Sequence, residues 1–335
     1  MTQSLPPLSL LAPDIYRLRL PLPFALDHVN CYLIRGTGGW TLLDTGLHTP
    51  EGWQSWLDAF DALGIGPQDV EQIVLTHVHP DHYGMAGALQ AWTHNAAPVR
   101  MSAATAAAAE MIWRSSAEAW LDETSAYLRR NGLAASFLES VLGSMRGMRA
   151  AVRPHPEWVE TFAPGAELLL GNRRVQVIAA QGHADDQTVF YDADDRLLFC
   201  GDQVLMRITP NVGAWPTTPA NPLGRFLTDL NRLRQVDVRL ALPGHRAEIS
   251  DFAGRIDELL AHHQKRLIAI REAIPADGAT TLEITRHVFP TDGYTTHEVR
   301  FAVAETLAHL EYLIEAGEAA RAENGAGVWI FRRVI

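Results

Sequence analysis

The sequence predicts an α/β layered fold, and three observations support it. Residues 14–75 run in the order strand, helix, strand, as layered α/β domains do. Strand-like runs return over residues 167–242, after a helical stretch. Hydrophobic content of 47% and charged content of 20% over 335 residues describe an ordinary globular chain. That length accommodates one large domain and a smaller appendage.

In chain order, Ile15 to Leu20, Val29 to Ile34 and Trp40 to Leu43 read as strands, separated by turn residues such as Gly36, Gly38 and Gly39. Thr49-Pro50-Glu51 is a helix start, a hydroxyl N-cap followed by proline at the first helical position. Trp53, Trp56, Leu57, Phe60 and Leu63 follow at helical spacing, and Gly64 ends the run. Ile73 to Leu75 forms the next strand. From about 102 to 150 the composition shifts to Ala, Met, Leu, Trp and Arg at helical spacing, an inserted helical segment able to cover the mouth of a site. Further strand-like runs are Glu167 to Leu170, Arg174 to Ala179, Thr188 to Tyr191, Leu197 to Cys200 and Val238 to Leu242.

A long amphipathic helix is expected over Asp251 to Ala273. Thr281 to Val288 and Thr296 to Glu315 read as two more helices, and Asn324-Gly325 precedes a strand-like Val328 to Phe331. Helix, helix, hairpin is the outline of a winged-helix module. Residues 281–335 hold five arginines against eight acidic residues, a net charge of −3. That balance opposes DNA recognition and favours a structural or dimerising role, with a homodimer as one outcome. The expected division is a catalytic domain over residues 1–250 and a C-terminal domain over 251–335.

The whole chain carries a formal charge of −11, which disfavours a broad nucleic-acid surface. Met-Thr-Gln-Ser-Leu-Pro-Pro-Leu at the N-terminus lacks the basic stretch and apolar core of a signal peptide. Runs of ~18 apolar residues are absent, so no membrane span is expected. Cys31 and Cys200 lie in strand-like apolar contexts, as buried thiols do, and a cytoplasmic location is the expectation.

Residues 76–82, Thr-His-Val-His-Pro-Asp-His, are the most informative segment. They place His77, His79, Asp81 and His82 within six positions, directly after the apolar run Ile73-Val74-Leu75. Imidazole nitrogens and a carboxylate oxygen are the ligands zinc and similar divalent ions take. In an extended segment His77 and His79 project to the same side. Asp81 and His82 follow Pro80, where the chain must turn, and can face a second point. One loop can therefore serve two adjacent metals. The alternative is a polar loop in which histidines happen to cluster, although the chain has only 14 of them.

Three more candidates each follow a strand-like run and sit beside glycine: His183 in Gln-Gly-His-Ala-Asp, Asp202 in Phe-Cys-Gly-Asp-Gln and His245 in Leu-Pro-Gly-His-Arg. Strand-end loops present reactive groups from a rigid scaffold, and a preceding glycine permits a sharp turn. Taken singly, each also reads as an ordinary loop residue.

In sequence, Leu-Leu-Asp-Thr-Gly (42–46), Thr-His-Val-His-Pro-Asp-His (76–82), Gly-His (182–183), Gly-Asp (201–202) and Pro-Gly-His (243–245) resemble the five recurrent motifs of the metallo-β-lactamase superfamily. The resemblance covers roughly residues 14–250. It implies a four-layer αββα sandwich with a helical insertion, and the tail resembles the winged-helix-like extension of a subgroup. It further implies that His77, His79 and His183 bind a first metal, that Asp81, His82 and His245 bind a second, and that Asp202 bridges both. Asp44 would then orient a ligand or the loop, while its other reading is a cap for its own turn.

That arrangement implies a hydrolase with two divalent ions, zinc first and Mn2+ or Fe2+ as alternatives. The pair would share a water, lower its pKa and polarise the substrate carbonyl or phosphoryl oxygen. Asp81 could orient the nucleophile or pass a proton to the leaving group. The leading expectation is cleavage of a thioester, lactone or carboxylic ester in a small molecule. Alternatives are a phosphodiesterase or ribonuclease, a mononuclear iron oxygenase, and a non-enzymatic DNA-binding protein. After His183 the chain reads Ala-Asp-Asp-Gln where many relatives carry Ser or Thr, Pro, Gly, His; Asp185 and Asp186 read as loop carboxylates. His28, Tyr83, Arg207, Trp215 and Tyr294 are candidates for the pocket lining, with Tyr83 and Trp215 reading equally as core or loop packing.

Overall fold

The computed structural model describes residues 7–24 and 26–334, so most of the segment read for a leader, residues 1–6, lies outside the described residues. Seven strands form a first sheet in sequential order: β1 (Leu8–Ala12), β2 (Ile15–Pro21), β3 (His28–Arg35), β4 (Trp40–Leu43), β5 (Val70–Val74), β6 (Val99–Ser102) and β7 (Val159–Phe162). The first four pair antiparallel and β4 to β7 run parallel. Helices make the parallel crossovers, as they must. These are α1 (Pro50–Leu63) between β4 and β5, then α2 (Pro80–Tyr83) and α3 (Ala86–Trp92) between β5 and β6. Thr49 caps α1 by accepting from the Gly52 amide, and Gly64 ends it at φ 66°, as the local chemistry predicts.

The insertion between β6 and β7 is helical: α4 (Ala103–Ala109), a π-helical turn over Glu110–Arg114, α5 (Ala117–Arg130) and α6 (Ala135–Ala150). A second sheet follows, with β8 (Glu167–Leu170), β9 (Arg173–Ala179), β10 (Thr188–Asp192), β11 (Leu197–Gly201) and β12 (Leu240–Pro243) in the order β12-β11-β10-β9-β8. Helix α7 (Pro222–Leu233) connects β11 to its parallel neighbour β12. The tail contains α8 (Phe252–Ala273), α9 (Thr281–Val288), α10 (Thr296–Glu315) and an antiparallel hairpin of β13 (Ala319–Glu323) and β14 (Trp329–Arg333).

Period-two alternation along the strands separates three cores and produces the four-layer αββα sandwich. Ile15, Ile34, Leu43 and Val74 of the first sheet meet Val175, Val177, Phe190 and Phe199 of the second. On the outer face of the first sheet, Leu18, Cys31, Leu33 and Leu42 pack against Trp56, Phe60 and Leu89. The outer face of the second sheet, through Val189, Leu198 and Cys200, packs against Phe226, Leu230 and Ile256. Val303, Leu307 and Leu310 of α10 join this same core. Both cysteines are buried and unbridged.

Sequence reasoning left β1, β6, β7, α3 and α7 unassigned. β1 and β7 are the edges of their sheet, and β7 exposes three of its four residues, so no apolar run marks it. The α7 stripe of Leu223, Phe226, Leu230 and Leu233 was readable behind its Asn221-Pro222 start. No helix among the described residues is long and apolar enough to cross a membrane.

Candidate metal centre

Every candidate ligand stands at or just beyond the carboxyl end of a strand. The chain leaves β5 into Thr76 and His77, and His79 precedes the proline that opens α2. That short helix carries Asp81 and His82. The β9–β10 connection supplies His183, the end of β11 supplies Asp202, and the end of β12 supplies His245. Gly182 lies at φ 106°, and any Cβ there would run into the α7 backbone at Phe226, so the turn into His183 requires glycine.

The structure brings all seven residues together. His77, His79 and His183 offer ring nitrogens within 4.8 Å of one another, and so do ligand atoms of Asp81, His82 and His245. His77, His82 and Asp202 form a third such group that joins the two. Asp202 Oδ2 lies 3.6 Å from His183 Nε2 and 3.2 Å from His245 Nε2, while its Oδ1 lies 3.5 Å from His82 Nε2. Asp81 Oδ2 is 3.2 Å from His245 Nε2.

The outer ring nitrogens of four histidines are committed to protein groups. His183 Nδ1 donates to the Asn211 carbonyl at 2.9 Å and His245 Nδ1 to the His28 carbonyl at 2.7 Å. His82 Nδ1 donates to Asp44 Oδ2 at 2.7 Å. The Thr76 hydroxyl gives its proton to Asp44 and therefore accepts from His77 Nδ1 at 2.9 Å. Each bond holds a proton on Nδ1 and turns Nε2 towards the centre, the tautomer a metal ligand needs; on His82 and His245 that Nε2 becomes a lone pair once its own proton is given up. Nε2 of His82, His183 and His245, with Asp202 Oδ1, are buried and have no hydrogen-bond partner among the described residues. Buried polar atoms are normally paired. Convergent unpaired lone pairs on imidazole and carboxylate fit divalent cations.

The two halves differ electrostatically. Burial pushes His77, His79 and His183 down, His79 to about 3, so these imidazoles are neutral and able to ligate. Burial opposes charge on His82 and His245 too, but Asp202, Asp44 and Asp81 hold His82 well above its ordinary value. Asp202 and Asp81 hold His245 up at about 10. Burial opposes charge on the Asp81 carboxyl, but His82 and His245 bring it down to about 2. Protons and a divalent cation are alternative positive charges for these carboxylates.

Asp44 is buried at φ 58° and lies outside the ligand cluster. Its Oδ1 accepts from the Thr76 amide at 2.8 Å and its Oδ2 holds His82, so it fixes the loop and the His82 ring together. Asp186 accepts from the Val78 amide at 2.8 Å, between His77 and His79, and burial raises its carboxyl to about 6. Asp185 is paired with Arg225 at 2.7 Å. Trp113 of the insertion donates its indole proton to the Val78 carbonyl at 2.9 Å. Tyr83 is buried against His155, Trp215 packs on Phe301, and Arg207 is exposed. Thr76, Asn211 and Trp113 were missed from sequence. Only Thr76, inside the histidine motif, carried a signal.

Known proteins resemble this chain in sequence and fold. The metallo-beta-lactamase superfamily profile matches residues 25–245, and that of a metallo-beta-lactamase-like C-terminal domain matches residues 267–334. The "Probable metallo-hydrolase YqjP" of Bacillus subtilis is 24% identical over 329 residues, covering 91% of this chain and 93% of that protein. The crystal structure of a metallo-beta-lactamase family protein from Thermus thermophilus is 35% identical, with a TM-score of 0.86 over 97% of this chain and all of that one. A beta-lactamase domain protein from Burkholderia ambifaria is 29% identical, with a TM-score of 0.87 over 99% and 97% of the two chains. The chain thus belongs to the metallo-beta-lactamase superfamily, as a metallo-hydrolase that carries that family's C-terminal domain.

Proposed function

We propose that this metallo-hydrolase is dinuclear, takes zinc, and cleaves an ester-like bond (thioester, lactone or carboxylic ester) in a small-molecule substrate. The observation behind it is the convergence of buried, unpartnered Nε2 atoms of His82, His183 and His245 on Asp202. His77, His79 and His183 would hold one ion, Asp81, His82 and His245 the other, with Asp202 between them. Bound divalent ions supply Lewis-acid polarisation of the scissile carbonyl and acidify the attacking water. Asp81 is the more exposed carboxylate of the cluster, at 17% against 7% for Asp202. It is therefore suited to take the proton from the nucleophile and return it to the leaving group. Asp44 acts through His82 and is a positioning residue.

The net charge of −11 favours ester-like substrates over polyanionic ones. A relative named "Atrochrysone carboxyl ACP thioesterase", from Aspergillus fumigatus, is 22% identical over 127 residues, 38% of each chain, and supports the thioester option. The test is a panel of thioesters, lactones, aryl esters, phosphodiesters and β-lactams given to the zinc-loaded protein, with His79→Ala as control. Turnover of an ester-like member that His79→Ala abolishes is expected. Turnover confined to phosphodiesters would replace this reading.

A further inference from the structure

We propose that Arg300 anchors an oxyanion, a carboxylate or phosphate on the substrate, so that the ester-like molecule cleaved at the metal centre is an anionic one. This inference rests on the hydrolase reading above. Arg300 lies near the start of α10. Its guanidinium carbon stands 4.9 Å from the centre of the Trp215 ring and 4.8 Å from that of Phe301. These two rings pack edge to face at 5.6 Å. The cation is thus held on aromatic faces rather than by a carboxylate.

Most buried or half-buried arginines of this protein are matched to acids: Arg17 to Glu248, Arg173 to Asp14, Arg225 to Asp185 and Arg266 to Glu305. Arg300 has no such partner and no hydrogen-bond acceptor among the described residues. Burial lowers it to about 10, with only the Tyr127 phenol opposing and no carboxylate among the causes. A planar guanidinium fixed by stacking, with its N–H donors unclaimed, is a preorganised receptor for an oxyanion. The side chain remains partly exposed, so a ligand can reach it.

Its surroundings tie it to the metal centre from two directions. Trp215 follows by four residues Asn211, whose carbonyl orients His183. The Ala214 amide of that same loop donates to the Ala304 carbonyl of α10 at 3.0 Å, and the Tyr127 hydroxyl donates to the Ala214 carbonyl. On the other side, His297 of α10 stacks on Phe24 at 5.8 Å and contacts Phe301 at 4.5 Å. Phe24 lies in the loop leading to His28, whose carbonyl orients His245. The start of α10 therefore spans the two loops that support His183 and His245. It presents an aromatic wall with one unmatched positive charge. A substrate with an ester-like bond at one end and an oxyanion at the other would engage both the cluster and that charge.

The test uses the metal-loaded protein with glutarate and inorganic phosphate as probes, titrated by calorimetry against wild type and Arg300→Gln. One of the two anions is expected to bind wild type and to bind the variant at least ~10-fold more weakly, the scale of a charge-assisted contact. Which anion binds tells a carboxylate site from a phosphate site. With 4-nitrophenyl butyrate and the mono-4-nitrophenyl ester of glutaric acid as substrates, the variant should lose ~10-fold or more in kcat/KM on the charged ester, mostly through KM, and little on the neutral one. Its melting temperature should change little, because the lost contacts with Trp215 and Phe301 are offset by removing a half-buried charge that has no ion pair. Independently of any variant, glutarate or phosphate should slow phenylglyoxal modification of Arg300 in wild type, read by peptide mass. Equal anion binding by both proteins, or no protection of Arg300, overturns the proposal. Arg300-dependent anion binding without turnover of any ester would keep the anchor and remove the hydrolase reading.

Discussion

Asp44 Oδ2 accepts a 2.7 Å hydrogen bond from His82 Nδ1, while the same carboxylate receives the Thr76 amide and hydroxyl. One buried side chain thereby fixes the histidine loop and the orientation of the His82 ring in it. Asp44→Asn would set an amide N–H against the ring N–H of His82, or lose the contact to Thr76. We expect the variant to fold and to bind metal about 10- to 100-fold more weakly, the usual cost of losing such an orienting carboxylate. Competition with a chelator of known affinity measures this, and unchanged affinity would deny Asp44 its orienting role.

Two metals, rather than one, predict a divided response to ligand loss. His183 belongs to one group and His245 to the other, while Asp202 joins them. His183→Ala and His245→Ala should each fall from two ions per chain to about one, and Asp202→Ala should fall below one. His79→Ala, which removes a ligand from the same group as His183, should likewise fall to about one ion per chain and lose nearly all hydrolysis while its circular dichroism is retained. Elemental analysis reads all four. A wild type that never exceeds one ion per chain would contradict the dinuclear reading.

The raised imidazoles give a pH test with a definite sign. His245 is held at about 10, above its ordinary 6.5, and His82 is raised as well, in each case because carboxylates outweigh burial. Groups bound more tightly to protons when folded stabilise the fold fully below their unfolded pKa and lose that contribution as pH rises through the folded value. The metal-free protein should therefore lose stability from about pH 6.5 towards pH 10. A divalent cation replaces those protons, so the loaded protein should not show that loss. Binding near pH 7.5 should release protons, and calorimetry in buffers of different ionisation enthalpy would detect them.

The parts legible in the sequence are those whose physics is local. Thr49 and Gly64 bound α1 because a cap needs only its own neighbours in the chain. The spacing of His77, His79, Asp81 and His82 announced a candidate site because four metal-ligating side-chain types fell on one loop. Asn211 and His28 act through backbone carbonyls, which every residue has, so no residue type could mark them. Trp113 reaches the Val78 carbonyl across 35 positions, and Asp186 reaches the Val78 amide across 108. The solitary state of Arg300 is likewise invisible, since it depends on which acids fail to meet it in space. Edge strands such as β7 hide because exposure removes the apolar pattern that identifies central ones.

Gly244 shows how tightly the centre is built, and it supports a paired prediction. A Cβ at Gly244 would collide with Asp202 Oδ1 and His82 Cε1, two groups of the candidate metal cluster. The backbone cannot retreat, because the Gly244 amide donates to the Gly201 carbonyl at 2.8 Å and its carbonyl accepts from the Asn30 amide at 2.6 Å. Gly244→Ala must therefore displace His82 or Asp202. Overpacking of this kind costs about 1–3 kcal/mol. Metal should suffer more than the fold, with less than one ion retained per chain. Gly143 is the control: it lies inside α6, and a Cβ there meets nothing within 4 Å. Gly143→Ala should raise stability by about 0.5–1 kcal/mol and leave metal content alone. Thermal melts and elemental analysis of the two variants make the comparison. A Gly244→Ala protein that keeps two ions would show that Asp202 and His82 can move aside without losing their metals, against the rigid geometry described above.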